Sequence, residues 1–266
     1  MAVLWGGVAA LVLAAVGIFA FHSGHSVVMA PERHYATAPG QRASVIFATD
    51  AQMILGPATT VAVRDDEQAG LTVTVDGEAV FRVAHADRRP ITVQTRGALV
   101  RVLGTEFVVQ QRRHEAGTHV VVASGRVSIG AVHGHTVAAL TSGMAGIVSD
   151  SGTIAITSDV PLDQYLGWAD GRLVFHGVPA RDVVAAVGHA YGVDLTISDS
   201  TLGAQPLRWS GMDRQPLTEV LDELAELLGG HVVKQGHTIT IAPGHPPSHV
   251  PGARHSTLST ESQYGR

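Results

Sequence analysis

From Val3 to Phe21 the chain runs without a charge or a proline and is rich in Ala, Val and Leu. As a helix such a run extends about 28 Å, close to the roughly 30 Å hydrocarbon core of a bilayer. A cleaved signal peptide would show a basic leading segment and a small-x-small cleavage site. Nothing basic precedes Val3, and the best such site, Val28-Met29-Ala30, is followed by Pro31, which blocks signal peptidase. The expectation is therefore one N-terminal transmembrane helix at 3–21, with a signal peptide and a buried helix as the alternatives. Residues 22–38 carry His, Ser, Gly and Pro without periodicity and read as a linker.

After Pro39-Gly40 the period becomes two. Leu71, Val73 and Val75 alternate with Thr72 and Thr74; Ala79, Phe81 and Val83 alternate with Val80 and Arg82; Ile91 and Val93 flank Thr92. Further strand-like runs at 99–103, 106–110, 119–123, 126–129 and 136–140 are separated by turn signals such as Asp76-Gly77, Gly104, Ser124-Gly125 and Ser142-Gly143. Short strands with regular turns and no helical period predict an all-β domain over 39–158, either a sandwich or a short β-solenoid.

A second change follows Trp168, after a connector at 159–171. Residues 172–176 and 193–197 read as strands around a helix that Pro179 opens and Gly192 stops, with Val183, Val184, Val187 and Tyr191 as its apolar stripe. The plan repeats: a strand at 206–210, a helix from Pro216 with Leu217, Val220, Leu221, Leu224 and Leu228 at helical spacing, and strands at 231–234 and 238–242. This predicts a small α+β module of two β-α-β halves over 172–243. The tail at 244–266, with Pro246-Pro247 and Pro251, has no apolar period and reads as disordered.

Composition narrows the function. Charged residues are 15% of the chain, below the roughly 25% of an average soluble domain, so much of it can be buried. The net charge is −5 and Lys234 is the only lysine, which excludes the positive field of a nucleic-acid binder. With no cysteine there is no disulfide framework, thiol catalysis or Cys-ligated zinc.

The chain shows no phosphate loop ending in Lys, no Gly-x-Ser-x-Gly elbow and no His-Glu-x-x-His helix, so no enzyme and no cofactor is expected. The metal candidates among 15 histidines are His133-Gly134-His135 and the scattered His85, Asp87, His114 and His119; a solvated turn and strand-end surface positions account for them more simply. Asp65-Asp66-Glu67 reads as a polar loop before Gly70. Glu78 opens a strand whose Ala79 and Phe81 face a core, so its carboxylate is expected to be a partly buried hydrogen-bond acceptor, paired with Arg101 or backbone N–H groups.

The ordered motifs carry a resemblance. Pro39-Gly40-Gln41-Arg42, then Val75-Asp76-Gly77-Glu78-Ala79-Val80-Phe81-Arg82-Val83, Arg89-Pro90-Ile91-Thr92-Val93, and Arg101-Val102-Leu103-Gly104-Thr105-Glu106-Phe107-Val108-Val109 follow one another. Ala123-Ser124-Gly125-Arg126-Val127, Leu140-Thr141-Ser142-Gly143 and Trp168-x-x-Gly171-x-Leu173-x-Phe175 complete the series. Over about 39–176 the chain resembles the FecR family of bacterial membrane-anchored sigma-factor regulators. Residues 172–243 look like the secretin/TonB short N-terminal domain that such regulators often carry.

The resemblance implies a single-pass inner-membrane protein with its C-terminal domains in the periplasm, an orientation that Arg33 and Arg42 beyond the apolar run do not themselves specify. It also implies a partner, the signalling domain of an outer-membrane TonB-dependent transducer responding to an iron chelate, and an extracytoplasmic-function sigma factor held on the cytoplasmic side. The family has several dozen cytoplasmic residues before its anchor, whereas Met1 and Ala2 alone precede Val3. The expectation is thus an upstream start, a split gene or a sensor that does not itself hold the sigma factor. Thr49-Asp50-Ala51-Gln52 also departs from the family's Asp-Gly-Ser at that point.

The motif glycines Gly40, Gly77, Gly104 and Gly171 are expected as turn formers, and Ala79, Phe81, Pro90, Thr105, Phe107, Trp168, Leu173 and Phe175 as structural positions. An exposed strand edge in the module could pair with an extended strand of a partner, with Arg208 and Trp209 as the contact candidates and a core position as the other reading of Trp209.

Overall fold

The structure is a computed structural model that describes residues 31–66, 70–84, 90–102, 104–111, 117–134 and 136–244. The apolar run at 3–21, the tail beyond 244, Glu67, His85, Asp87, Arg89, Leu103, His114 and His135 lie outside the described residues. Among the described residues no helix is long and apolar enough to cross a membrane.

Alternating apolar positions build the first unit as two facing layers. One layer runs through β11 (Val137–Thr141), β10 (Arg126–Ala131), β7 (Ala98–Val102), β6 (Ile91–Gln94), the first half of β5 (Gly70–Val83), β4 (Thr60–Asp66) and β1 (Glu32–Ala36). The other runs through β2 (Ala43–Ala48), β3 (Ala51–Leu55), the second half of β5, β8 (Thr105–Gln111), β9 (Thr118–Ser124), β12 (Ala145–Val148) and β13 (Ile154–Thr157). Neighbours are antiparallel except β5 and β6, which are parallel. Met53, Leu55, Val63, Val73, Phe81, Phe107, Val109, Val122, Ile129 and Leu140 fill one core between the layers. Of the two architectures left open by the period of two, the protein has the sandwich.

β5 corrects the expected turn at Asp76-Gly77. It is one 14-residue strand that pairs with β4 up to Asp76 and with β3 and β8 from Gly77 onward. Gly77, at φ +125°, lets the strand bend from one layer to the other without ending. Three further segments differ from the reading of the chain. Residues 32–36, inside the expected linker, form β1 because they pair with β4. The connector holds α1 (Leu162–Leu166) and a 3-10 turn (Gly167–Asp170), and β4 continues through Asp65-Asp66, expected as loop.

The central strands of the second layer are covered on both faces. Ile54, Val80, Val108 and Val121 form a second cluster on its outer side, overlaid by Leu162, Tyr165, Leu166 and Trp168. That double burial explains why Phe107-Val108-Val109 and Val120-Val121-Val122 read as unbroken apolar runs.

The second unit follows as β14 (Arg172–Pro179), α2 (Ala180–Tyr191), β15 (Asp194–Ile197), α3 (Ser200–Ala204), β16 (Pro206–Met212), α4 (Leu217–Leu227), β17 (Gly230–Gln235) and β18 (Thr238–Pro243). Its helices and longer strands match the two repeated halves; α3, capped by the Asp199 carboxylate on the Leu202 N–H at 2.7 Å, is too short to show a period. The halves interlock rather than standing apart. β14 pairs antiparallel with β16, whereas β15 pairs parallel with β18, which pairs antiparallel with β17. Val183, Val184 and Val187 of α2 and Val220, Leu221 and Leu224 of α4 close a common core with Leu173, Leu195, Leu207, Trp209 and Ile241.

Candidate functional site

The two units meet in a seam, and much of the motif series gathers there. Pro39-Gly40 turns directly after β1, with Gly40 at φ +71°, and its backbone lies on the C-terminal end of α2. A Cβ at Gly40 would stand 3.0 Å from the Tyr191 carbonyl, so this approach needs glycine twice over. Two residues on, Arg42 forms an ion pair with Asp213, beyond β16, and donates to the Trp168 carbonyl. Gly171 ends the 3-10 turn in the left-handed region at φ +81°, where a Cβ would meet the Asp213 carboxylate at 2.8 Å. Trp168 itself packs against both the module core and the outer cluster of the sandwich.

A second tie runs from β5. Arg82 donates from Nε to Glu106 at 2.8 Å and reaches Asp170 of the connector at 3.7 Å. The hydrogen bond to Glu106, with the nearby charges of Glu106 and Asp170, raises the Arg82 pKa further.

Glu78 is buried at 2% exposure on the sandwich side of the seam. Its carboxylate accepts from the Gln110 amide, the residue directly across the β5–β8 pair. Arg101, the expected side-chain partner, stands on β7 in the other layer and is exposed. The Glu78 N–H donates to the buried Thr59 hydroxyl at 3.0 Å, and its carbonyl accepts from Gly56 at 2.8 Å.

The other motif positions are architectural. Ala79, Phe81 and Phe107 are core; the Phe81 and Phe107 rings stack at 5.0 Å and Phe47 meets Phe81 edge-on at 6.1 Å. The Pro90 carbonyl accepts from Leu71 N–H at 3.1 Å, Gly104 turns at φ +122°, and the Thr105 hydroxyl donates to the Arg126 carbonyl at 2.9 Å. Leu173 is in the module core, where Phe175 stacks on Trp209 at 6.2 Å. Trp209 is 7% exposed and its indole N–H donates to Glu223 at 3.1 Å; of the two contact candidates only Arg208 is exposed. Among the described residues no group of three or more His, Asp or Glu side chains could hold a metal, and His133 stands exposed in the turn after β10.

Sequence reasoning missed a strap beside the seam. Arg208 donates to His176 Nδ1 at 3.2 Å, which places the ring proton on Nε2, facing Asp163 of α1 at 3.0 Å. The Gln164 side chain accepts the His176 N–H at 3.2 Å. The hydrogen bond from His176 holds the Asp163 pKa below the ordinary carboxylate value. A depressed carboxylate stabilises above its unfolded pKa and loses that contribution as pH falls through the folded value. The Asp163 side of the strap should therefore loosen as pH falls below the ordinary carboxylate range, about pH 4. Amide exchange at residues 162–166 across that range checks this, and Asp163→Asn should abolish the pH dependence.

The same contacts define the edges of the β14–β16 pair. Arg172 lies opposite Met212, and the Asp213 N–H donates to the Gly171 carbonyl at 2.9 Å, so Arg172 and Met212 are a non-hydrogen-bonded pair. The backbone groups of Arg172, Val174 and His176, and of Arg208, Ser210 and Met212, consequently point away from the partner strand. Gln164 covers the β14 edge at His176. The Tyr191 hydroxyl and the Gln215 side chain cover Met212. Arg208 and Ser210 leave an open stretch of β16 whose backbone groups have no partner among the described residues.

Compared with known families, residues 33–128 match the model of the FecR protein. That stretch is similar to a FecR domain. The matched segment holds most of β1 through the first half of β10, and therefore the sandwich side of the seam, with Gly40, Arg42, Glu78 and Gln110. Two crystal structures of a candidate anti-sigma factor from Parabacteroides distasonis ATCC 8503 share the fold. One has a TM-score of 0.69 at 21% identity over 81% of this chain, the other 0.68 at 21% over 80%, each along 100% of its own chain. No curated protein matches the sequence.

Proposed function

We propose that this chain regulates an extracytoplasmic-function sigma factor as a single-pass inner-membrane relay, with the FecR domain and the α+β module in the periplasm. The module receives the signalling domain of an outer-membrane TonB-dependent transducer, occupied by an iron chelate, along the open edge of β16. The seam passes that contact to the FecR domain and on toward the apolar run at 3–21.

The observation that carries this reading is the fastening of the module, through Asp213 and Trp168, to Arg42 at the start of the FecR domain. A displacement of β16 is thereby felt next to β1, the described strand nearest the apolar run. The matched FecR domain and the anti-sigma name of the structural neighbours support the sigma-factor end of the relay.

Deleting the gene should change transcription from the promoters of one such sigma factor and no others. Arg42→Ala should leave binding of the signalling domain to the module within about twofold, while transcription stops following the inducer. An unchanged transcript profile on deletion, or a signalling domain that does not bind, overturns the proposal.

A further inference from the structure

A groove of about 1150 Å³ lies over the outer face of the β14–β16 pair. It is open to solvent and larger than the roughly 300–1,000 Å³ of an ordinary small-molecule pocket, so it suits a length of chain better than a compact ligand. Strand alternation sends Leu173, Phe175, Leu207 and Trp209 toward the module core. It leaves Arg172, Val174 and His176 of β14 facing out beside Arg208, Ser210 and Met212 of β16.

The charges along this groove are of one sign except for Asp163. Arg172, Arg208 and Arg214 line it, each exposed, in a chain whose net charge is −5. Asp163 is already engaged by His176, whose other ring nitrogen accepts from Arg208. None of the three arginines has a carboxylate partner among the described residues. Arg172 also borders the seam, but the acids on that side have partners of their own: Arg42 for Asp213, Arg181 for Asp182 and Gln110 for Glu78. On α4, Glu223 accepts from the Trp209 indole, and neither it nor Glu219 lines the groove.

Beside these arginines runs the open stretch of β16, and the two features select the same kind of occupant. Backbone groups without partners at Arg208 and Ser210 call for another strand's N–H and C=O groups. A strand laid there places the side chains at its positions i, i+2 and i+4 on the groove face, opposite Arg208, Ser210 and Met212, with Cβ atoms about 4.5–5.5 Å apart. Position i faces the Arg208 guanidinium. Position i+4 comes level with Met212, between Arg172, the cross-strand neighbour of Met212, and Arg214, two residues on. Carboxylates fit both positions. The residue between them lies over Ser210 and the half-buried Val174, which favours a small apolar side chain.

We propose that β16 takes an extended acidic segment of a partner protein, whose carboxylates, four residues apart on one face, are held by Arg208 and by Arg172 with Arg214. This rests on the reading of β16 as the docking edge and adds what the docked strand must carry.

The test uses the full chain in phosphatidylcholine nanodiscs at low salt, with labelled peptides followed by fluorescence anisotropy. Thr-Glu-Thr-Val-Thr-Glu-Thr carries both acids on one face. Thr-Gln-Thr-Val-Thr-Gln-Thr removes the charge, and Thr-Glu-Thr-Val-Glu-Thr-Thr keeps the composition but puts the acids on opposite faces. The first should bind at least about threefold more tightly than either of the others, and it should slow amide exchange at Arg208 and Ser210.

Arg208→Glu combined with Arg214→Glu should reverse the preference, so that Thr-Lys-Thr-Val-Thr-Lys-Thr binds better than the acidic peptide. Arg214→Gln alone should weaken the acidic peptide about twofold or more, which tests the site should the double reversal disturb the His176 contact. A neutral peptide that binds as tightly and protects the same amides overturns the acid requirement and leaves the docking edge standing. An acidic peptide bound without protecting those amides overturns the edge itself. Binding unaffected by either variant, or no binding by any peptide, overturns the proposal, and protection of Arg208 and Ser210 by the signalling domain then decides the docking edge separately. Amide protection that appears only in phosphatidylglycerol discs also overturns it, assigning the arginines to lipid phosphate.

Discussion

Replacing Trp209 by alanine is expected to unfold the α+β module rather than to weaken a contact made by it. The indole stacks on Phe175, donates to Glu223 and lies across Gly211, where a Cβ would come within 2.6 Å of the ring. Removing a buried Trp side chain typically costs about 3–5 kcal/mol, the lost transfer energy plus the cavity left behind. A module of this size has about 4–11 kcal/mol of stability in all, so from about a quarter to all of it is at stake. Calorimetry on the full chain should show a module transition that is lost or much lowered in Trp209→Ala. Arg208→Ala, on the exposed face of the same strand, should leave it nearly unchanged. A Trp209→Ala protein that melts like the parent would mean that the ring does not hold this core.

The alternation in Leu207-Arg208-Trp209-Ser210 already places Leu207 and Trp209 on one face and Arg208 on the other, and in the fold the first face is the core. Where one face of a strand is buried, the period of two records it, and this is why the sandwich strands and both long module helices were legible. Layer topology was not, because a period says which residues face inward but not which strand lies alongside. Glu78 illustrates the gap. Its burial could be expected from Ala79 and Phe81, yet its partner depends on register: Gln110 is opposite on β8, while Arg101 belongs to the other layer.

The seam was legible only as a series of motifs. Arg42 and Asp213 are far apart in the chain, and no local pattern joins them. The strap joins Asp163 and Gln164, on a helix too short to carry a period, to His176 on β14, which left it unseen. Glycines signalled special backbone without saying which kind. Gly192 ends a helix, as expected, whereas Gly77 continues a strand.

Gly77 should accordingly be among the least replaceable positions in the sandwich. At φ +125° an L side chain is strained, by about 1–3 kcal/mol. A Cβ there would also stand 2.8 Å from the Thr59 Cα and closer still to its hydroxyl, and Thr59 is fully buried with no room to retreat. That hydroxyl accepts the Glu78 N–H, so displacing it would strand a buried donor at a further cost of about 1–3 kcal/mol. Gly77→Val is therefore expected to destabilise the sandwich by about 4 kcal/mol or more, summing strain, overpacking and the lost hydrogen bond. Gly143→Val is the control, since Gly143 has φ +80° with nothing within 4 Å of a Cβ and carries the backbone term alone. Denaturant unfolding of the full chain separates them: equal losses in the two variants would show that β5 can cross between layers without the close approach of Gly77 to Thr59. A much larger loss at Gly77 would tie the strand crossing to the seam, because the next residue is Glu78, and a backbone shift that moves Gly77 off Thr59 carries the Glu78–Gln110 pair away from Trp168.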